Sequence, residues 1–178
     1  MKRFFVRYGF NQSHAIASDL SKAEASRTFG TPEHLAALVF VAFTYESALN
    51  HLGQLAFPTW DEHFDRLSPE AKLALLTDKG RLAPDYTRRP YQSFSTVFKV
   101  RNGLAHPKVF EAEVTEEQLQ QPDKWPRPKW IAQANTLDVA RALADLDEVV
   151  QALQNALQVV LPPKFLLGEV VQRAPAKA

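Results

Sequence analysis

Residues 99–110 read KVRNGLAHPKVF and place three phosphate-handling side chains within six positions. Arg101 offers a planar fork of donors that matches phosphate oxygens. His106 passes protons near neutral pH, and Asn102 can orient either group. Together they could break an RNA chain without metal. A base takes the proton from the 2′-hydroxyl, and a cation stabilises the charge that grows on the phosphorane. One histidine cannot easily be both base and acid in a single pass, so two copies across a two-fold axis would share the work. The same residues also make an ordinary helix end. An arginine in the last turn can hold the final carbonyls, and a histidine just beyond it sits well in the helix dipole.

The elements that must position this stretch follow from its flanks. His106 precedes Pro107, and a residue before proline is pushed out of the α region. Gly103 weakens the helix further, so a helix that starts after Pro90 ends near Leu104 or Ala105, with Phe94, Val97, Phe98 and Leu104 facing the core. Upstream, the spacing predicts a helix over 12–27. Thr31 and Pro32 then form a cap-and-proline start. The helix they open, 32–56, carries Leu35, Leu38, Ala42, Tyr45, Leu49 and Leu52 at steps of three and four. Val39, Phe40 and Phe43 widen that stripe and mark a central, mostly buried helix. Ser68-Pro69-Glu70 repeats the start signal for a helix over 69–78 that ends at Gly80. A long final helix over 136–160 has a seam of Leu143, Leu146, Val150, Leu153, Leu157 and Val160. Residues 108–114 could form a short extended piece, and the proline- and tryptophan-rich 120–130 an ordered loop. Strand signals are weak throughout. The expectation is an all-α, antiparallel helical bundle of four main helices plus short ones. Residues 1–162 form its single domain, and 163–178 are a loosely held tail.

Composition narrows the chemistry. There is no cysteine, and the five histidines do not cluster at ligand spacing, so neither a zinc site nor a cofactor is expected, although carboxylates could still hold a loose cation. His63 in WDEHFD has poor spacing for a metal on one helical face. The start of the chain does not read as a signal peptide. Its longest apolar run, 35–43, is half of a membrane span. The expectation is a soluble, cytoplasmic protein with no membrane partner. Net charge is +1, yet Lys79–Lys108 holds seven cations against the single anion Asp85. Such a stretch attracts phosphates, which makes Arg88, Arg89, Lys99 and Lys108 candidate substrate-binding residues. The alternative is a solvated surface with arginines paired to carboxylates elsewhere. Glu46, an acid in the apolar second helix, would need a partner if buried and is a candidate assistant to the site; it could equally face water with Asn50. Tyr45 and Tyr91 read as core or rim residues. Trp125 and Trp130 could stack bases or pin their loop to the bundle.

FKVRNGLAHPK resembles the R-polar-x-x-x-H signature of HEPN domains (higher eukaryotes and prokaryotes nucleotide-binding). Arg101 matches the family arginine, Asn102 the polar residue and His106 the histidine. The resemblance covers the bundle plan over about 30–160, but its specific part is these residues. It implies a helical domain that dimerises with the two signatures in one cleft. Active members are metal-independent endoribonucleases of toxin–antitoxin, defence and RNA-processing systems. Other members are non-catalytic modules that bind a nucleotide, RNA or a partner protein. One subgroup carries a tyrosine two residues after the histidine, the target of nucleotidylation by a partner enzyme. That position here is Lys108, so the resemblance implies a different regulation.

Overall fold

The computed structural model describes residues 2–7, 9–23, 28–106, 108–121, 125–161 and 168–173. The fold is helical in character. In chain order the elements are β1 (Lys2–Arg7), α1 (Gly9–Lys22), α2 (Pro32–Ala56), α3 (Trp60–His63), α4 (Pro69–Lys79), α5 (Tyr91–Ala105), α6 (Glu116–Leu119), α7 (Lys129–Ala134), α8 (Val139–Leu157) and β2 (Gly168–Arg173).

Helix α2 is the centre of the fold and packs against α1, α4, α5 and α8. Its start follows from local chemistry. The Thr31 hydroxyl accepts the N–H of His34, and Pro32 occupies the first position, where a missing donor costs nothing. Ala37, Leu38, Val41, Ala42, Tyr45, Ala48, Leu49 and Leu52 are buried along it. By length and composition α2 could cross a membrane, but half of that apolar window is buried inside the protein. Buried His34 clamps the helix start to the chain ahead of α8. Its Nδ1 accepts from the N–H of Gly30, which leaves Nε2 to donate to the carbonyl of Leu137.

Two other helices are bounded by local signals, α4 by those expected and α8 by an N-cap that starts it at Val139, not at 136. Ser68 caps α4 through the N–H of Ala71, and Gly80 ends it. The carboxylate of Asp138 accepts from the N–H of Arg141 and opens α8. That helix is shorter than its apolar seam, because Gln158 turns left-handed (φ 56°) and stops it. Val160 therefore lies outside α8 and is exposed. Phe43 and Leu104 also differ from expectation. Both are exposed, in a groove that among the described residues is lined by α2 and α5.

Two further departures concern strands. Residues 108–115 are exposed and irregular, so the extended piece pairs with nothing described. In contrast β1 and β2 pair as an antiparallel ribbon, from Lys2 opposite Arg173 to Arg7 opposite Gly168. Of the tail 163–178, the segment 168–173 is thus a strand, and the remainder lies outside the described residues. Six-residue strands leave little periodic signal, and their partners are too distant in sequence to suggest each other.

The end of α2 is fixed by an aromatic cluster of Phe57, Trp60 and Phe64. The indole of Trp60 lies directly on Gly53, where an added Cβ would come within 2.2–2.4 Å of the ring. Trp60 is fully buried and cannot step aside. Gly53→Ala is expected to destabilise the fold by about 1–3 kcal/mol, the usual cost of overpacking. A chemical denaturation midpoint unchanged from the wild type would contradict this contact.

Candidate functional site

Helix α5 carries the site on its last turn. Phe94, Val97 and Phe98 are buried against the core, with Phe94 and Phe98 both in ring contact with Tyr45 of α2. This anchors the register of the helix, so Arg101 and Asn102 emerge at a fixed height. The helix ends at Ala105. His106 is its C-cap, and its N–H donates to the carbonyl of Asn102 at 2.9 Å. The sequence explains the stop, since a proline follows the histidine.

Arg101 is held from three sides. One Nη2 hydrogen is donated to Glu46 Oε2 at 2.8 Å, and Nη1 donates to Asn102 Oδ1 at 3.0 Å. The guanidinium also lies over the Phe98 ring, 5.6 Å from its centre. Its Nε is buried and has no acceptor among the described residues. The arginine is 21% exposed and Glu46 32%, so the pair is neither sealed nor free. Its remaining N–H donors can meet an anion without new ordering of the side chain.

Arg101, Asn102, His106 and Lys108 line one cleft of about 860 Å3, together with Ser68, Pro69 and Glu70 at the start of α4 and Val109, Phe110, Pro128 and Trp130. His106 and Lys108 are exposed. The fold thus brings together the arginine, the polar residue, the histidine, one proposed phosphate lysine and the assisting acid. Such a set can hold a phosphate against a fixed cation and present a solvated imidazole to it.

The other basic candidates separate from the site. Arg89 donates from Nε and Nη2 to Asp145 Oδ1 at 2.8 and 2.6 Å, and Ser93 donates to the other oxygen. Asp145 is fully buried whereas Arg89 is 54% exposed. Arg89 therefore neutralises a core carboxylate, and that bond together with the charge of Asp145 raises its own pKa. Arg88 is exposed and 3.5 Å from Asp85. Lys99 is exposed on α5 but does not border the cleft. The seven-cation stretch is a patch in sequence that the fold divides.

Tyr45 is a core residue, and burial, followed by the charges of Asp145 and Asp147, raises its phenol well above the ordinary range. Tyr91 packs edge-on against Tyr86. His63 is exposed on α3, and among the described residues no three His, Asp or Glu side chains gather as a metal set. Trp125 donates to the carbonyl of Gln118 and ties its loop to α6. Trp130 does something different: it borders the cleft. The sequence offered Trp130 as a base-stacking or loop-pinning residue, but gave no sign of the wall at the start of α4. A local signal for the close approach of the indole was Gly103, a helix-weakening residue in the last turn of α5.

The Arg101–Glu46 pair could be a structural fastener or a device for aiming the arginine, and stability separates the two. A pair this accessible contributes about 1 kcal/mol or less. Arg101→Ala, Glu46→Ala and the double variant are therefore expected to yield a coupling energy within that bound in a denaturation cycle. A coupling of about 3 kcal/mol would make the pair a fastener.

No protein-family model matches the chain, and no curated protein or solved structure is significantly similar to it.

Proposed function

We propose that the protein is an HEPN-like, metal-independent endoribonuclease that acts as a homodimer. The observation that carries the reading is the shared cleft at the end of α5, in which Arg101, Asn102 and His106 meet with the arginine aimed by Glu46. In this reading the main helices form the antiparallel bundle of that class. The pathway is a toxin–antitoxin or phage-defence system in the cytoplasm, with an antitoxin as partner.

The chemistry needs only these groups and the RNA. His106 takes the proton from a 2′-hydroxyl, and O2′ attacks the adjacent phosphorus. Arg101, with Lys108 nearby, stabilises the charge on the phosphorane oxygens. The bond from phosphorus to O5′ breaks, and the leaving oxygen takes a proton from His106 of a second copy. The products end in a 2′,3′-cyclic phosphate and a 5′-hydroxyl. A second apolar groove supports the pairing. Ala36, Val39, Phe40, Phe43, Leu104 and Ala105 line about 500 Å3 that also touches Arg101, so a copy seated there would bring two sites close together.

Purified protein is expected to cut single-stranded RNA in EDTA and leave 2′,3′-cyclic phosphate ends. His106→Ala should lower the rate by about 10²–10⁴-fold with the fold intact. Arg101→Ala should cost a similar amount, and the double variant little more, because both act in one transition state. Arg101→Lys should restore only part, since a point charge lacks the planar fork. A chain that binds RNA through Arg101 but leaves a broad RNA panel uncut would instead be a non-catalytic binding module. Cutting that survives His106→Ala would return the stretch to a simple helix end.

The assembly has its own test. Sedimentation should give a dimer at micromolar concentration. Phe43→Asp, which places a charge in the exposed groove, should give a folded monomer that no longer cuts. A monomeric wild type that still cuts would exclude the two-copy mechanism.

A further inference from the structure

The cleft has a side that the cleavage chemistry does not use. Beyond Arg101 and His106 its walls are Pro69, Val109, Phe110, Pro128 and Trp130. We propose that this side is a stacking site for one unpaired base of single-stranded RNA, with Trp130 and Phe110 as its aromatic walls. The inference rests on the ribonuclease reading, which it deepens by naming the form of the substrate.

Trp130 reaches the cleft because of Gly103. The indole lies so close to α5 that a Cβ on Gly103 would sit 2.5–2.7 Å from three of its ring atoms. Any other residue there would displace the ring. The glycine thus combines a weakened helix end with an aromatic wall, one turn from His106. Phe110 is an exposed large hydrophobic side chain on the irregular segment that follows Lys108. An aromatic ring left partly open beside fixed cations matches a nucleotide, whose base has a flat apolar face and whose phosphate is one sugar away.

Charge sets the direction. Arg101 is on α5, Lys108 on the segment that follows it, and the carboxylate of Glu70 at the start of α4, and all three residues border the cleft. A phosphate is favoured at the first and opposed at the second, which leaves the apolar walls to the base. His106, Lys108 and Val109 are exposed, so a strand can enter and leave. A paired base is already stacked and cannot offer its face to the indole, so the site selects unpaired RNA.

The test uses full-length protein and 2′-O-methyl RNA pentamers, which cannot be cut. A base-bearing pentamer should bind about tenfold or more tightly than an abasic strand of equal length and charge, and should quench tryptophan fluorescence. Trp130→Phe should keep most of the affinity but lose the quench, since Trp60 is buried and Trp125 is not part of the cleft. Trp130→Ala should bind base-bearing and abasic strands alike. Should that variant fail to fold, the wild-type comparison of the two strands decides alone. Equal affinity for both strands, or no binding of either, overturns the proposal. The two readings fail separately: a base preference without cutting of ordinary RNA removes only the nuclease. His106-dependent cutting without a base preference removes only the stacking site.

Discussion

A helix that is apolar on most of its surface has to be enclosed, and the enclosure of α2 governs what surrounds it. Helices α1, α4, α5 and α8 pack along it, and the short α3 packs at its end. Its few polar residues must then find partners within reach or remain at the margins. Thr44 returns its hydroxyl to the carbonyl of Phe40. Glu46 has no such local solution and meets Arg101 across the α2–α5 contact. The need of one half-buried carboxylate for a cation thus fixes the position of the arginine on which the proposed chemistry depends. The same contact sets α5, because Phe94 and Phe98 pack on Tyr45, next to Glu46 in sequence.

The two long-range arginine pairs of the described residues have different physics. In Arg89–Asp145 the carboxylate is fully buried and receives three donors, including Ser93. Little of that acceptor is left for a ligand, and the arginine is consumed by the core. In Arg101–Glu46 both partners keep some access to water, and the arginine retains donors. A guanidinium already oriented by a carboxylate, a neighbouring amide and an aromatic ring loses little freedom when an anion arrives. Such preorganisation is what electrostatic stabilisation of a growing charge requires. On the proposed reading, Glu46 lowers the net charge of the site yet improves its geometry.

The sequence carried the local structure well where the signal was local. Caps and prolines at Thr31–Pro32 and Ser68–Pro69 marked their helices, and His106–Pro107 marked the end of α5 to within one residue. What it did not carry was anything that depends on which surfaces end up covered. Leu104 has the spacing of a core residue, but among the described residues its groove has two walls, α2 and α5. Val160 continues a perfect seam past a residue that leaves the helix. Arg89 and Lys99 look alike as cations, and only the fold distinguishes a partner of buried Asp145 from a solvated side chain. The β1–β2 ribbon joins segments more than 160 residues apart, a pairing no local pattern encodes.

The site divides in the same way. Arg101, Asn102 and His106 are neighbours in sequence, so one helix end gathers them. Glu46 was legible as an acid in an apolar helix, a misfit that demands an explanation. Trp130 was legible as a residue that could stack a base or pin its loop, but its place against α5 was not, because that depends on an absence. Gly103 weakens α5, which by itself reads as a stop signal. In the fold it is also the surface on which the Trp130 indole rests, as the ring positions at 2.5–2.7 Å from a hypothetical Cβ make plain. One small residue therefore weakens the last turn of the helix that presents the histidine and admits the ring that walls its cleft. Those two features fall on the same position because the last turn of α5 and the apolar wall border one space, and a residue without a side chain accommodates both.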